Sequence, residues 1–246
     1  MISKLIAYPL TLAYYSLLLA TLIVFHGFQF VAFKFFGYRA HNVVVTVMTW
    51  FSLRCLNLLG TRIVFEWETP IQKNTPLIIV SNHQSTYDIP PIIWHFRKHH
   101  PKFISKKELG KGIPSVSYNL RHGGSVLINR KRLKKSLEEI KVFAKKVHQN
   151  KWSAVIFPEG TRSKNEVPKK FHTAGLLTLM ESMPNALIVP ISIQNSWQLA
   201  KYNYLPIPMG IKLKFKVHKP MANNTEEKHE IIKKIEQQIQ KELQNT

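Results

Sequence analysis

A chain of 246 residues is long enough to bury a full core in one domain, and no internal repeat or low-complexity tract interrupts it. Lysine and arginine number 35 against 14 aspartates and glutamates, a net charge of +21, so the partner is anionic: nucleic acid, an anionic membrane surface or a phosphorylated substrate. The single cysteine, Cys55, excludes an internal disulfide and any multi-cysteine metal site, and its apolar surroundings assign it to packing.

The N-terminus chooses among those anions. From Leu5 to Phe33 there is no Asp, Glu, Lys or Arg. The core of this run, Leu5 to Phe25, is long enough to cross a bilayer of roughly 30 Å, with Pro9 as a possible kink. Its residues are apolar all round and not on one face only, which argues against a core helix of a soluble protein. No small-x-small site follows it, which argues against a cleaved signal peptide. A second patch, Val43 to Leu53, is short for a full span and reads as an interfacial or half-embedded helix. Lys4, Lys34, Arg39 and Arg54 flank both segments and favour the cytoplasmic side. The expectation is a cytoplasmic (inner) membrane protein whose residues 1–60 are anchoring helices and whose residues 61–246 form the working domain, facing the cytoplasm.

Beyond the anchor, strands and helices alternate. Thr61 to Trp67 and Pro76 to Ser81 read as strands, and a helix opens near His83 and runs to about Phe96. Phe103-Ile104 and Ser125 to Asn129 read as short strands. Leu133, Leu137, Ile140, Ala144 and Val147 recur at helical spacing with lysines between them. Strand Trp152 to Phe157, a helix near Ala174 to Met180 and the very apolar strand Leu187 to Ile193 follow. Ile211 to Val217 alternates strictly and carries a lysine row, the pattern of an edge strand guarded against mispairing. Asn224 with Glu227 is a capping signal for a last helix with Ile231, Ile232, Ile235, Ile239 and Leu243 on one side. The pattern predicts an α/β fold, a mixed sheet flanked by helices.

The chemistry-bearing residues sit at strand ends. Asn82-His83-Gln84-Ser85-Thr86-Tyr87-Asp88 follows the buried-strand run Leu77 to Val80. If His83 lies in the loop and Asp88 in the first helical turn, Asp88 can hold one ring nitrogen and leave the other free to take a proton. The pair alone fits a capping aspartate beside a satisfied loop histidine better; the second block reverses that preference. A second block, Phe157-Pro158-Glu159-Gly160-Thr161-Arg162-Ser163, also follows an apolar strand. Gly160 permits a tight turn, Thr161 brings a hydroxyl and Arg162 a planar fork suited to phosphate, while Glu159 orients Arg162 or meets a substrate hydroxyl. A surface turn with an ion pair is the plainer alternative. Arg130, directly after a strand, is a second phosphate candidate and Lys106 a third. His122-Gly123-Gly124-Ser125 is similar to a lipase oxyanion loop, but no G-x-S-x-G elbow accompanies it, so the glycines read as a turn. The other histidines, among them His95, His99, His100 and His172, lack zinc spacing, and no structural metal is expected.

Together the two blocks resemble the glycerophospholipid acyltransferases, closest to the bacterial 1-acylglycerol-3-phosphate acyltransferases. The likeness runs from about Leu77 to Gln194. Between the blocks it is carried by Lys106-Lys107-Glu108-Leu109, Gly124 and Arg130, and after them by Ile188-Val189-Pro190-Ile191. Asn129 stands where an aspartate is common, and His172 where a lysine is common. The resemblance implies His83 and Asp88 as catalytic, a phosphorylated glycerol acceptor (lysophosphatidate), and an acyl thioester of acyl carrier protein or coenzyme A as co-substrate. It implies no other cofactor, no covalent acyl-enzyme, and a helical pair that dips into one leaflet of an anionic membrane. A basic membrane-surface or nucleic-acid-binding protein would explain the charge and the anchor but not Asp88 and Glu159 in the two loops; nucleic acid is therefore not the expected partner.

Overall fold

The computed structural model describes residues 2–73, 75–163, 165–223 and 227–244; Asn224, expected to cap the last helix, lies outside them. The chain opens with α1, Ile2–Asn57, whose helical dihedrals break at Gly37 and not at Pro9. There φ is +74° and ψ −165°, a region essentially reserved for glycine. The two arms fold back on each other: Thr21 meets Cys55, the Phe25 ring lies 5.5 Å from Phe51, Gln29 reaches Met48 and Phe33 faces His41. These pairs step in opposite directions along the two arms, so the apolar segments expected from sequence are the arms of one antiparallel hairpin. α1 is long and apolar enough to cross a membrane, and only 11% of its most apolar stretch is buried within the protein. Leu5, Leu12, Ile23, Val24, Phe28 and Phe36 are among the large apolar side chains left exposed.

Seven strands follow: β1 (Arg62–Trp67), β2 (Leu77–Ser81), β3 (Pro101–Lys106), β4 (Val126–Ile128), β5 (Ser153–Ile156), β6 (Leu187–Gln194) and β7 (Lys212–Val217). Interleaved with them are the helices α2 (Ile89–His95), α3 (Val116–His122), α4 (Leu133–Gln149), α5 (Thr173–Ser182) and α6 (Lys228–Gln244). The sheet order is β1-β7-β6-β2-β5-β3-β4. From β6 to β4 all neighbours are parallel, whereas β7 pairs antiparallel with β6 and parallel with β1. The sheet is thus mixed, as the alternation of strand and helix patterns predicted.

Side chains alternate across β2. Ile78 and Val80 join the core under α4, α5 and α6, while Leu77 and Ile79 join the core under α1 and α2. A strand covered on both faces reads as a continuous apolar run, which is why β2, β5 and β6 stand out in the sequence. The amphipathic stripe of α4 buries Ile140, Phe143, Ala144 and Val147 as its spacing predicts.

One expectation is corrected. β7 is not an edge strand, because β1 and β4 hold the edges. Its lysine row marks a half-exposed face, and Lys216 there pairs with Glu242 on α6 at 2.8 Å and with Glu68 at 3.6 Å. Alternation reports which face meets solvent, not which strand lies alongside. α3 was not anticipated, since its seven residues are too few for a periodic signal. It ends at Gly123, and Gly124, with φ +94°, turns the chain into β4.

Candidate active site

The five parallel strands deliver their following loops to one edge of the sheet, where ligands of open α/β sheets collect. β2 is central, and the loop after it carries His83. Ser85 caps the short 3₁₀ turn Thr86–Asp88, accepting from the Tyr87 N–H, while Asp88 reaches back in a capping box. That turn aims Asp88 at the loop, so the local capping signal and the site geometry have one cause.

His83 and Asp88 meet: Nδ1 lies 2.8 Å from Asp88 Oδ2. The same carboxylate oxygen accepts from the backbone N–H groups of Gln84 (2.7 Å) and Ser85 (3.0 Å). Oδ1 accepts from the Ser196 hydroxyl, which also touches Ser85 Oγ. Asp88 is fully buried and the His83 side chain is 15% exposed. An acceptor-only carboxylate at Nδ1 places the ring proton there, and among the described residues nothing pairs with Nε2. The imidazole stacks on Phe157 at 4.2 Å, which fixes the ring plane from below.

The loop after β5 closes against the loop after β2. His83 N–H donates to Glu159 Oε1 (2.9 Å), and the His83 carbonyl accepts from both the N–H (2.8 Å) and the hydroxyl (3.2 Å) of Ser163. Glu159 Oε2 accepts from the Lys169 N–H at 3.0 Å. Glu159 is only 2% exposed. Burial pushes its carboxyl above the ordinary range, against the pull of the Lys169 and His83 backbone donors. Glu159 therefore braces the two loops and orients His83's backbone; it neither pairs with Arg162 nor opens to solvent. Gly160, with φ +69°, makes the turn that returns its N–H to the Phe157 carbonyl at 3.0 Å. Thr161 accepts from Lys169 Nζ at 2.8 Å. Arg162 is exposed and donates to the Tyr204 hydroxyl at 2.5 Å.

Arg130 and Lys106 belong to the same edge but stand apart. Lys106 ends β3 in register with Ile128, and Arg130 follows β4; both are exposed. β4 is three strands from β2, a separation of about 14 Å at ordinary strand spacing. Three residues at the site escaped the sequence reading: Ser196, Lys169 and Tyr204. Each arrives from a segment with no local motif. The one available hint was the polar break Asn195-Ser196 directly after an apolar strand. Among the described residues no group of three or more His, Cys, Asp or Glu could hold a metal ion.

A sequence profile for acyltransferases matches residues 62–194, more than half of the chain, with the loops that carry His83, Asp88 and Glu159 to Arg162. The chain belongs to the acyltransferase family. A 1-acyl-sn-glycerol-3-phosphate acyltransferase of Helicobacter pylori is 36% identical over 133 residues, 51% of this chain and 54% of that protein. One from Cocos nucifera is 31% identical over 145 residues, 56% of this chain and 45% of that protein. The chain spans about half the length of these curated relatives. The crystal structure of the 1-acyl-sn-glycerophosphate acyltransferase of Thermotoga maritima is 26% identical and superposes with a TM-score of 0.81. That likeness covers 99% of this chain and 97% of the other, α1 included.

Proposed function

We propose that the protein transfers a fatty acyl group from a thioester, carried by acyl carrier protein or coenzyme A, to the 2-hydroxyl of 1-acylglycerol-3-phosphate, giving phosphatidate. The observation that carries this reading is the His83–Asp88 contact, which leaves Nε2 without a partner among the described residues, in a loop bonded to the one that carries Arg162. In this mechanism Nε2 takes the proton of the 2-hydroxyl as its oxygen attacks the thioester carbonyl. Asp88 holds the tautomer and offsets the charge of the imidazolium. The tetrahedral intermediate collapses with loss of the thiolate, which receives the proton from His83. No acyl-enzyme forms and no cofactor is needed. Arg162 holds the acceptor's phosphate with its planar fork, and Lys106 and Arg130 extend the cationic edge toward β4. Fixing the phosphate aligns the hydroxyl with the base, an entropic contribution that can be large.

The proposed location is the cytoplasmic (inner) membrane, with the catalytic domain on the cytoplasmic side. The hairpin supports an in-plane anchor that dips into one leaflet. Its base lies against the loop before β7, through Thr11 and Ile207, and its tip packs Tyr38 on Trp152 at 4.4 Å. Spanning the bilayer would require that packing to be given up.

Membranes holding the full chain, offered both thioesters against lysophosphatidate, glycerol-3-phosphate and other lysophospholipids, test the reading. Lysophosphatidate is expected to be the preferred acceptor. His83→Ala is expected to lower turnover by about a hundredfold to ten-thousandfold, the usual scale for a positioned general base. Near-normal turnover in folded His83→Ala protein, or a preference for another acceptor of the panel, would remove it.

A further inference from the structure

Arg162 lies exposed on a long side chain, and a phosphate ligand needs its fork held in one place. The contact that holds it comes from the loop between β6 and β7. Arg162 Nη1 donates to the Tyr204 hydroxyl at 2.5 Å, and the guanidinium carbon lies 5.9 Å from the ring centroid. One of five N–H donors is used there, which leaves the others for an anion.

Tyr204 is itself unusually constrained. Asn203 and Tyr204 have φ of +51° and +69°, a left-handed backbone that side-chain-bearing residues rarely adopt and that recurs at functional sites. The first arm of α1 secures the loop: Tyr15 donates its hydroxyl to the Tyr204 carbonyl at 2.8 Å, and Ile207 N–H donates to Thr11 Oγ1 at 2.9 Å. On its other side the Tyr204 ring lies 5.9 Å from Tyr87, the residue before Asp88. A strained residue clamped between the membrane anchor and the catalytic turn, with its one polar tip on Arg162, is built to present that tip.

We infer that Tyr204 is a positioning residue for acceptor recognition, holding the Arg162 guanidinium where the phosphate arrives. The inference rests on the proposed phosphate-binding role of Arg162. Tyr204→Phe removes only the hydroxyl and keeps the ring, the backbone carbonyl and the contact to Tyr15.

The test is steady-state kinetics of the full chain in membranes with acceptor and donor both varied, for Tyr204→Phe, Arg162→Ala and the double variant. Tyr204→Phe is expected to raise the acceptor KM about three- to tenfold, the scale of one ordinary hydrogen bond, as suits an exposed contact, with donor KM unchanged. In the Arg162→Ala background it is expected to add nothing, because the group it positions is gone. A structural defect would instead lower kcat and move both KM values. An unchanged acceptor KM in Tyr204→Phe, beside a raised one in Arg162→Ala, overturns the positioning role and leaves the phosphate reading standing. A full Tyr204→Phe effect without Arg162 also overturns it. An unchanged acceptor KM in Arg162→Ala removes the phosphate reading and Tyr204's role together.

Discussion

Asp88 concentrates the chemistry of this chain in one buried carboxylate. Three donors converge on Oδ2, from His83, Gln84 and Ser85, whereas Ser196 is the one donor to Oδ1 among the described residues. A buried charge left short of a donor pays its full desolvation penalty. Ser196→Ala is therefore expected to cost about 1.5–3 kcal/mol of stability, the range for a hydrogen bond to a charged group. It should also lower turnover, but by less than His83→Ala, because the Oδ2 donors still aim the carboxylate at the ring. Thermal unfolding and turnover measured side by side check this. Wild-type stability in Ser196→Ala would mean that water replaces the hydroxyl at no cost.

The element with the sharpest local requirement is the helical hairpin. Its reversal depends on one residue, Gly37, at φ +74° and ψ −165°. An added Cβ there would meet no atom within 4 Å, so the cost of a substitution is backbone strain alone. Gly37→Ala is expected to destabilise the hairpin by about 1–3 kcal/mol. Limited proteolysis in detergent should then cut the variant between residues 34 and 40 at lower protease concentrations than the parent chain. Equal resistance would show that the arms' packing, through Phe25–Phe51 and Gln29–Met48, absorbs the strain. The same hairpin sets the β6–β7 loop through Thr11 and Tyr15, so α1 also shapes the loop that meets Arg162.

At the scale of the whole molecule two features favour a lipid surface. The net charge of +21 attracts anionic headgroups, at roughly 1 kcal/mol per residue near the surface. The exposed apolar side of α1 adds burial worth about 25 cal/mol per Å², which salt does not screen. At 1 M salt the screening length falls to about 3 Å and the charge contribution largely disappears. The full chain is expected to stay in the membrane fraction through such a wash. Release of most of the protein into the supernatant would assign attachment to the lysines and arginines instead.

Each motif that the sequence made legible is local. The five-residue spacing of His83 and Asp88 closes through a capping box whose members, Ser85 and Asp88, stand three positions apart, so the whole contact lies within one short window of sequence. The strands and amphipathic helices announce themselves by the period of their buried face, and a turn such as Gly160 by the conformations only glycine adopts freely. What the tertiary structure decided is non-local. Ser196 reaches Asp88 across 108 positions, Tyr15 reaches Tyr204 across 189, and Glu159 reaches the His83 backbone across 76. β7 alternates like an edge strand yet lies between two others, because a residue's pattern records its solvent exposure and carries no information about which strand packs beside it. Local sequence thus determined the His83–Asp88 contact and the long apolar helix, since each depends on neighbours in the chain. Sheet order and loop packing alone decided what holds Asp88, Glu159 and Arg162 in place, since strand pairing brings together residues that no short window of sequence contains.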